Sequence, residues 1–381
     1  MEDWIYITAK LTPRFHQMTL DEFLCAEYEM PEPVSIGVAG TKTYRAKSVS
    51  KRLEQKVNIP ALIGVLDRYN AKHRELFAAE KHDLYRTFYI PKRSGGMRRI
   101  DAPNQELMAA LRELKLIFEV EFHALYHTSA FAYVKKRSTL HAIQRHQKNE
   151  SRWFAKLDLH NFFGSTTLPF VMQMLSQVFP FTEVIKDPHG REALEAALSL
   201  AFLDGVLPQG TPISPLITNV MMIPVDFILT KTLRRFEDQT YVYTRYADDF
   251  TISSRYNFDV KKIEELVVSV LREFNAPFSI NQTKTRYGSS AGRNWNLGLM
   301  LTKDNQITVG HKRKAQLQSM LHNFITDADA GTPWPVEEIQ YVLGIYSYIH
   351  SIEPEATDRI IAYVNAKHRN TDVLRRMKEA V

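Results

Sequence analysis

The spacing of hydrophobic residues predicts helices in the first third of the chain. Apolar residues recur at intervals of three and four from Leu53 to Leu66 and again from Leu107 to Phe122, which places them on one face of an α-helix. A shorter pattern of the same kind begins at Leu140. These patterns predict a helical N-terminal extension over residues 1–84, a helix over residues 106–125 and the start of another at residue 140.

Short apolar runs predict strands elsewhere. Residues 85–90 and 100–103 have strand character, and the polar segment between them contains Gly95 and Gly96, which supply the positive φ angles of a tight turn. Residues 153–159 form a third apolar run, and residues 241–253 predict two strands that meet at a turn. The chain therefore mixes helices with strands joined by hairpins.

The composition is that of an ordinary folded protein. The 381 residues are 44% hydrophobic and 24% charged, which excludes whole-chain disorder and predicts two or three subdomains around one cleft. The single cysteine, Cys25, excludes an intramolecular disulfide and, without an apolar secretory segment, predicts a cytoplasmic location. No apolar run approaches the ~20 residues that cross a bilayer, so we do not expect a membrane protein.

Basic residues are concentrated in two segments. The net charge is +6, but residues 85–99 contain five basic residues and no acid, and residues 135–156 contain seven basic residues and one acid. Solvated surface is the ordinary explanation for either segment alone. Together they predict the walls of a groove that contacts phosphates.

Three aspartates are the candidate chemistry. Asp158 lies near the end of a predicted strand, and Asp248 and Asp249 lie at the predicted turn between two others. Adjacent carboxylates in a half-apolar hairpin repel each other and persist most easily when cations neutralise them, which predicts a divalent-metal site. The alternatives are a helix cap at Asp158 and an exposed turn at the pair. Sharing a metal requires a fold that brings the two segments together.

Four motifs occur in the order found in a known enzyme family. They are Ile90–Ile100, Lys156–Phe163, Pro208–Pro215 and Tyr246–Asp249. In the third motif the prolines fix the backbone of a loop, and Gly210 allows close approach of another group. The succession resembles the reverse transcriptases, particularly the bacterial retroelement branch of retron-type and related defence-associated enzymes, and the similarity covers about residues 85–354.

The resemblance implies an α+β right-hand polymerase fold, with fingers, a palm whose antiparallel sheet is backed by helices, and a helical thumb. After the N-terminal extension, it implies fingers over residues 85–155, a palm over residues 156–300 and a thumb over residues 301–381. The segment Leu297–Leu301 resembles the hairpin that grips the primer.

The resemblance also assigns roles at the metal site. It implies that Asp158, Asp248 and Asp249, with the backbone carbonyl of Leu159, hold two Mg²⁺ ions for nucleotidyl transfer. Lys284 resembles the palm lysine that protonates leaving pyrophosphate, although an ordinary surface lysine is an equal alternative.

Nucleotide binding falls to residues of the fingers and palm. Lys92 or Arg93, together with Arg98, would clamp the triphosphate, and Gln209 would help to position the nucleotide. Phe163 matches the bulky gate that collides with a ribose 2′-hydroxyl, unless it is a core aromatic. The residues predicted to bind RNA come from the second basic segment and from the start of the predicted thumb. They are Lys135, Lys136, Arg137, Arg145, Lys148, Lys312, Arg313 and Lys314.

The expected function is that of an RNA-directed DNA polymerase that copies a dedicated noncoding RNA into DNA, within a bacterial retron or anti-phage defence system. The expected partners are this template RNA, its cDNA product, deoxynucleoside triphosphates and an effector protein encoded nearby. The sequence leaves open whether the protein forms a homo-oligomer. Untemplated or protein-primed DNA synthesis by the same palm is one alternative. A non-catalytic RNA-binding scaffold is another, although the intact aspartates argue against it.

Overall fold

The computed structural model describes residues 57–91, 95–237, 239–291 and 297–381. The first part of the predicted N-terminal extension, residues 1–56, lies outside this range. The described residues form two compact units. The first comprises residues 57–137, Lys156–Ile252 and Asp259–Thr285, and the second comprises Ser138–Ala155, Ser253–Phe258 and Arg286–Val381.

Helices and strands alternate irregularly along both units. The described helices are α1 (Ile59–Lys72), α2 (Arg74–Ala78), α3 (Gln105–Val120), α4 (Thr139–Lys148), α5 (Phe162–Ser165), α6 (Leu168–Leu175), α7 (Phe181–Lys186), α8 (Pro188–Ser199), α9 (Ser214–Met221), α10 (Ile223–Leu233), α11 (Val260–Glu273), α12 (His311–Asp329), α13 (Val336–His350), α14 (Pro354–Lys367) and α15 (Val373–Glu379). The described strands are β1 (Tyr85–Pro91), β2 (Met97–Pro103), β3 (Trp153–Asp158), β4 (Tyr241–Tyr246), β5 (Asp249–Ser254), β6 (Arg286–Ser289), β7 (Met300–Leu301) and β8 (Ile307–Thr308).

The helical pattern before residue 84 forms α1. The Asn58 side chain accepts a hydrogen bond from the Ala61 amide, which caps the first turn, and the apolar face that includes Leu66 is buried. Helix α3 ends at Val120, five residues before the predicted end, because the chain turns at His123, which has a left-handed φ of 47°. That turn places Phe122 against Phe181, with ring centroids 4.8 Å apart.

Strands β1 and β2 form the predicted hairpin. They pair antiparallel in the register Tyr85↔Pro103 to Pro91↔Met97, and Gly95 and Gly96 have φ angles of 87° and 78°. Positive φ at both glycines agrees with the turn expected from the sequence.

The strand order of the larger sheet is β4-β5-β3-β6. Strands β4 and β5 form a hairpin, and β3 runs antiparallel to β5, because the Leu159 amide bonds to the Asp248 carbonyl at one end and the Arg152 amide bonds to the Ser254 carbonyl at the other. An antiparallel sheet combined with many helices is the α+β class that the sequence predicts.

Helices α9 and α10 are buried almost throughout, so they form part of the core of the first unit. Among the described residues, no single helix has the length and apolar character to cross a membrane; the bent pair α9 and α10 meets that test jointly, by length and composition.

The second unit has its own core. Leu317, Leu321 and Phe324 of α12 pack in one cluster with Phe154 of β3 and with apolar residues of the later helices. The carboxylate of Glu353 ties the start of α12 to β8, because it accepts hydrogen bonds from Thr308, the Val309 amide and Lys314 at 2.8–2.9 Å.

The loop that carries Gln209 lies directly on β2. The Asp101 amide donates to the Gln209 carbonyl at 2.8 Å, and a Cβ added at Gly210 would lie 2.8 Å from the Asp101 carbonyl oxygen. Gly210 has a φ of 124°, which side chains rarely adopt. The close approach expected from the sequence at Gly210 is therefore an approach to a strand of the hairpin.

We predict that Gly210→Ala lowers the free energy of unfolding by about 1–3 kcal/mol, because alanine adds both backbone strain and a clash with β2. Chemical denaturation measures the loss. Gly205→Ala is the matched control, since Gly205 also has a positive φ, of 77°, but open space around its Cβ position. An equal loss in both variants would mean that the contact with β2 does not constrain the loop.

Candidate active site

The end of β3 and the turn between β4 and β5 bring the three aspartates to one place. Asp158 is the last residue of β3 and is 6% exposed, while Asp248 lies in the turn and Asp249 begins β5. The Leu159 amide donates to the Asp248 carbonyl at 3.1 Å, so the two segments touch although they are distant in sequence. This is the approach that a shared metal site requires.

Lys284 joins the aspartates from a third segment. Its ammonium lies 2.8 Å and 3.1 Å from the two carboxylate oxygens of Asp158. The Asn281 amide donates to the Asp158 carbonyl at 2.7 Å, and the Lys284 amide donates to the Asn281 carbonyl, which pins the loop to the end of β3. The hydrogen bond to Asp158, together with the other two carboxylates, raises the pKa of Lys284. The lysine therefore holds its proton beside the site.

The charge of the site raises the pKa values of two carboxyl groups. The pKa of Asp249 rises to about 6, because the surrounding protein displaces water and because Asp248 and Asp158 add negative charge; this happens although one side of Asp249 is open to solvent. The pKa of Asp248 is also raised, mainly by burial and then by Asp158, against the opposing effect of Lys284 and Arg98. The negative charge of the three carboxylates therefore exceeds the positive charge that Lys284 and Arg98 supply nearby.

The donor chemistry of the site suits Mg²⁺. Carboxylate oxygens are the hard ligands that this ion prefers. A bound cation would also stabilise the ionised form of carboxyl groups whose pKa values are raised. Within the described residues, no three His, Cys, Asp or Glu side chains are arranged as a closed metal-binding group. Asp158 is directed to the Lys284 ammonium instead. The residues thus fit the ion chemically without forming a preassembled cage.

One of the predicted nucleotide ligands, Arg98, lies near the aspartates. Arg98 is exposed on β2 and lies near enough to Asp248 to lower its pKa. Gln209 is half-buried on the loop against β2. Phe163 is half-buried, with its ring edge-to-face against Phe162 at 5.6 Å, so it is not a fully buried core residue. Lys92 and Arg93 lie outside the described residues.

The residues predicted to bind RNA differ in exposure. Lys135, Lys136, Lys148 and Lys312 have exposed side chains, as phosphate contact requires. Arg145 is half-buried. The basic run of residues 135–156 is divided between the two compact units after Arg137.

Arg137, Arg313 and Lys314 are held at short distance by acceptors within the protein, whereas the ion pair of Lys135 with Glu119 is longer, at 3.6 Å, and the Lys135 side chain is 89% exposed. Arg137 donates to the carbonyls of His127 and Ala130 at 2.5 Å and 2.7 Å. Arg313 donates to the Gly298 carbonyl at 2.7 Å, and Lys314 is paired with Glu353. These contacts count against the phosphate role that the sequence pattern assigned to Arg137, Arg313 and Lys314, because a guanidinium or ammonium held by protein acceptors is poorly placed to neutralise RNA.

Two residues near the carboxylates were not predicted. Lys156 is half-buried on β3, and burial lowers its pKa to about 8 against the opposing attraction of Asp249. Tyr133 has a left-handed φ of 60° and is 57% exposed; its partial burial and the charge of Asp248 raise its pKa. The alternation of a strand could have identified Lys156, which lies two residues before Asp158; no sequence signal marks Tyr133.

A buried ion pair between Arg245 and Asp226 was also missed. Both side chains are 0% exposed, and the pair distance is 2.7 Å. The signal was present, because each is a lone charge in an apolar segment: Asp226 among the aliphatic residues of α10 and Arg245 in β4. A charge in such a segment needs a buried partner.

Comparison with known proteins agrees with this arrangement of motifs. Residues 90–326, more than half of the chain, match the family described as reverse transcriptase (RNA-dependent DNA polymerase). The chain is 27% identical to the retron Ec83 reverse transcriptase of Escherichia coli over 279 residues, which are 72% of this chain and 85% of that protein. It is 27% identical to the retron Mx65 reverse transcriptase of Myxococcus xanthus, over 78% of this chain and 67% of that protein.

Among solved structures, similar chains include apo telomerase from Candida tropicalis, at a TM-score of 0.46 and 12% identity, covering 88% of this chain and 67% of that chain. A C-terminally truncated form of the same telomerase gives a TM-score of 0.41 and 14% identity, covering 59% of this chain and 54% of that chain. The chain therefore spans little more than half of the truncated telomerase.

We predict that Asp249→Asn stabilises the metal-free protein at neutral pH. Ionised Asp249 destabilises the folded state above its folded pKa of about 6. The penalty fades as the pH falls below that value and is absent below the ordinary pKa of an aspartate, 3.8. Thermal unfolding in a chelator should therefore show a higher midpoint for the variant at about pH 7.5 and a smaller difference at about pH 4.5.

Asp304→Asn serves as the control, because it removes an exposed aspartate from another part of the chain. It should shift the midpoint little at either pH. A stabilisation by Asp249→Asn that is the same at both pH values would contradict the electrostatic origin of the raised pKa.

Proposed function

Because the chain belongs to the family of reverse transcriptases, the RNA-dependent DNA polymerases, we propose that it copies a dedicated noncoding RNA into DNA as part of a bacterial retron or related anti-phage defence system. The observation that carries the chemical part of this proposal is the convergence of Asp158, Asp248, Asp249 and Lys284 from three separate segments. The biological part rests on similarity to retron reverse transcriptases.

The enzyme class and the fold follow from membership of this family. The match over residues 90–326 and the retron relatives confirm the predicted enzyme class, an RNA-directed DNA polymerase of retron type, and with the antiparallel sheet they confirm the α+β right-hand fold. RNA is accordingly the template that the enzyme reads. The number of metal ions, the identity of the RNA and the defence role belong to the proposal.

In the proposed mechanism, Asp158, Asp248 and Asp249, with the Leu159 carbonyl, would hold two Mg²⁺ ions. Bound there, the ions would lower the pKa of the primer 3′-hydroxyl and neutralise charge on the triphosphate. The protein's own contribution is to fix three carboxylates at one point, with the turn bonded to the end of β3. The raised pKa values of Asp248 and Asp249 favour the arrival of cations.

Lys284 has a second proposed role, as the proton donor to the leaving pyrophosphate. Its ammonium is held 2.8 Å from Asp158, and the raised pKa of Lys284 keeps the proton on Nζ while Asp158 is its partner. A cation held by Asp158 would take away this stabilising partner and bring the pKa of Lys284 down, so that Nζ could give its proton to an oxygen of the leaving pyrophosphate.

Arg98, with Lys92 or Arg93, is proposed to hold the triphosphate, and Gln209 to position the nucleotide. Arg98 is supported by its electrostatic influence on Asp248. Gln209 is supported by the bond between its carbonyl and the Asp101 amide, which fixes the loop to the same hairpin that carries Arg98. For Phe163, incomplete burial leaves part of the ring available as a sugar gate.

For the RNA path, we retain the predicted residues with exposed side chains: Lys135, Lys136, Lys148 and Lys312. Fingers over residues 85–155, a palm over residues 156–300 and a thumb over residues 301–381 remain the proposed division. A cDNA product, deoxynucleoside triphosphates, a neighbouring effector protein and a cytoplasmic location complete the proposal.

We predict that Asp248→Asn combined with Asp249→Asn lowers RNA-templated incorporation of deoxynucleotides at least about a hundredfold, because metal binding contributes several kcal/mol to the transition state. RNA affinity and folding should persist, since the substitutions relieve repulsion. Primer extension on a synthetic RNA template measures the loss, with Asp304→Asn as the control. Undiminished synthesis by the double variant would refute the assignment of the active site.

We also predict that Phe163→Ala weakens discrimination against ribonucleotides by about 10- to 100-fold, because a smaller side chain leaves space for the 2′-hydroxyl. Competing deoxynucleotide and ribonucleotide incorporation measures the ratio. Phe162→Leu alters the neighbouring, fully buried ring and should leave discrimination unchanged. If Phe163→Ala keeps the original preference, the ring is part of the core and not a gate.

A further inference from the structure

A fully buried ion pair lies behind the turn that carries Asp248. The Nε and Nη2 atoms of Arg245 donate to the two carboxylate oxygens of Asp226 at 2.8 Å and 2.7 Å, and the Tyr243 hydroxyl donates to the same carboxylate at 2.7 Å. Removing two charges from water costs about as much as their attraction returns, and apolar residues of similar volume often serve stability as well. Stability alone is therefore a poor explanation for this pair.

The nitrogen of Arg245 that does not bind Asp226 reaches the turn. Its Nη1 donates to the Ala247 carbonyl and to the Asn219 side-chain oxygen, each at 3.1 Å. Ala247 is 6% exposed and has a left-handed φ of 58°, a strained conformation for alanine. Arg245 thus gives a hydrogen-bond partner to a carbonyl in the strained turn immediately before Asp248.

Backbone bonds fix the other sides of this turn. The Asp248 carbonyl accepts from the Leu159 amide at 3.1 Å, which ties the turn to the strand end that carries Asp158. The Arg245 amide donates to the Ser129 carbonyl at 2.7 Å, and its carbonyl accepts from the Phe131 amide at 2.9 Å. Strand β4 cannot slide without breaking these bonds, so Arg245 has a fixed position from which to hold Ala247.

We propose that Arg245, oriented by Asp226, is a positioning residue that holds the Ala247–Asp248 turn so that Asp248 meets Asp158 with the separation that metal binding requires. The guanidinium suits this role because its planar fork can bind a carboxylate with two nitrogens and still present a third donor. This inference rests on the proposed role of Asp248 as a metal ligand.

The test replaces the pair with apolar residues while the rest of the full chain is kept. The variant combines Arg245→Met, Asp226→Leu and Tyr243→Phe, so that no partner of the carboxylate is left buried and unpaired. We expect a thermal midpoint close to that of the wild type. In primer extension on a synthetic RNA template, kcat should fall about 10- to 100-fold and the Mg²⁺ concentration for half-maximal rate should rise severalfold.

The KM for the template–primer should stay within about twofold of the wild-type value, because the RNA-binding lysines are untouched. Tyr243→Phe alone is the matched control. It removes one hydrogen bond to Asp226 but no contact to Ala247, so kcat and the Mg²⁺ midpoint should stay within about twofold of wild type.

Arg245→Lys provides the second measurement if the apolar variant does not fold. Lysine keeps the charge but cannot bind Asp226 with two nitrogens and also reach the Ala247 carbonyl. It should lower kcat and raise the Mg²⁺ midpoint at temperatures where circular dichroism shows the variant to be folded. The proposal is overturned if the apolar variant folds and has wild-type kcat and Mg²⁺ midpoint. If the apolar variant does not fold, the same result for the folded lysine variant overturns it.

Asp248→Asn, assayed in parallel, separates failure of the proposed active site from failure of the positioning role of Arg245. If Asp248→Asn retains synthesis, the proposed active site itself fails. If Asp248→Asn is inactive while the apolar variant has wild-type kinetics, only the positioning role of Arg245 fails.

Discussion

The structure depends on one electrostatic constraint: three carboxylates must stay together in partly buried surroundings before any cation neutralises them. Asp158, Asp248 and Asp249 come from the end of β3 and from one hairpin, and their mutual repulsion and burial raise the pKa of Asp249 to about 6. Lys284 supplies one compensating charge. The remaining excess favours cations, so the same repulsion that costs stability creates affinity for metal ions.

Neighbouring residues of the first unit hold these charges in place. The backbone bond from Leu159 to Asp248 joins the two segments, and the bonds from Arg245 hold the turn before Asp248. Strained backbone at Ala247 and a buried ion pair both cost free energy. Features of this kind persist where a defined geometry matters more than maximal stability, which is the situation expected at a site of nucleotidyl transfer.

Much of this was predictable from the sequence, because the relevant signals are local. The strand periodicity, the paired glycines of the β1–β2 hairpin and the paired acids at the β4–β5 turn each depend on neighbouring residues. Lys284 could be located only by resemblance, because its partner Asp158 is distant in sequence. The partners of Arg137, Arg313 and Lys314 are protein carbonyls and a carboxylate, and a count of basic residues cannot show which charges the fold itself uses.

Binding of divalent cations by the three aspartates can be measured without catalysis. The full chain is titrated with Mn²⁺, followed by electron paramagnetic resonance, in the presence of template–primer and a non-hydrolysable deoxynucleotide analogue. We expect two bound ions per chain and their loss on replacement of Asp248. Absence of bound Mn²⁺, or the same occupancy without the Asp248 carboxylate, would show that the aspartates do not form a metal site.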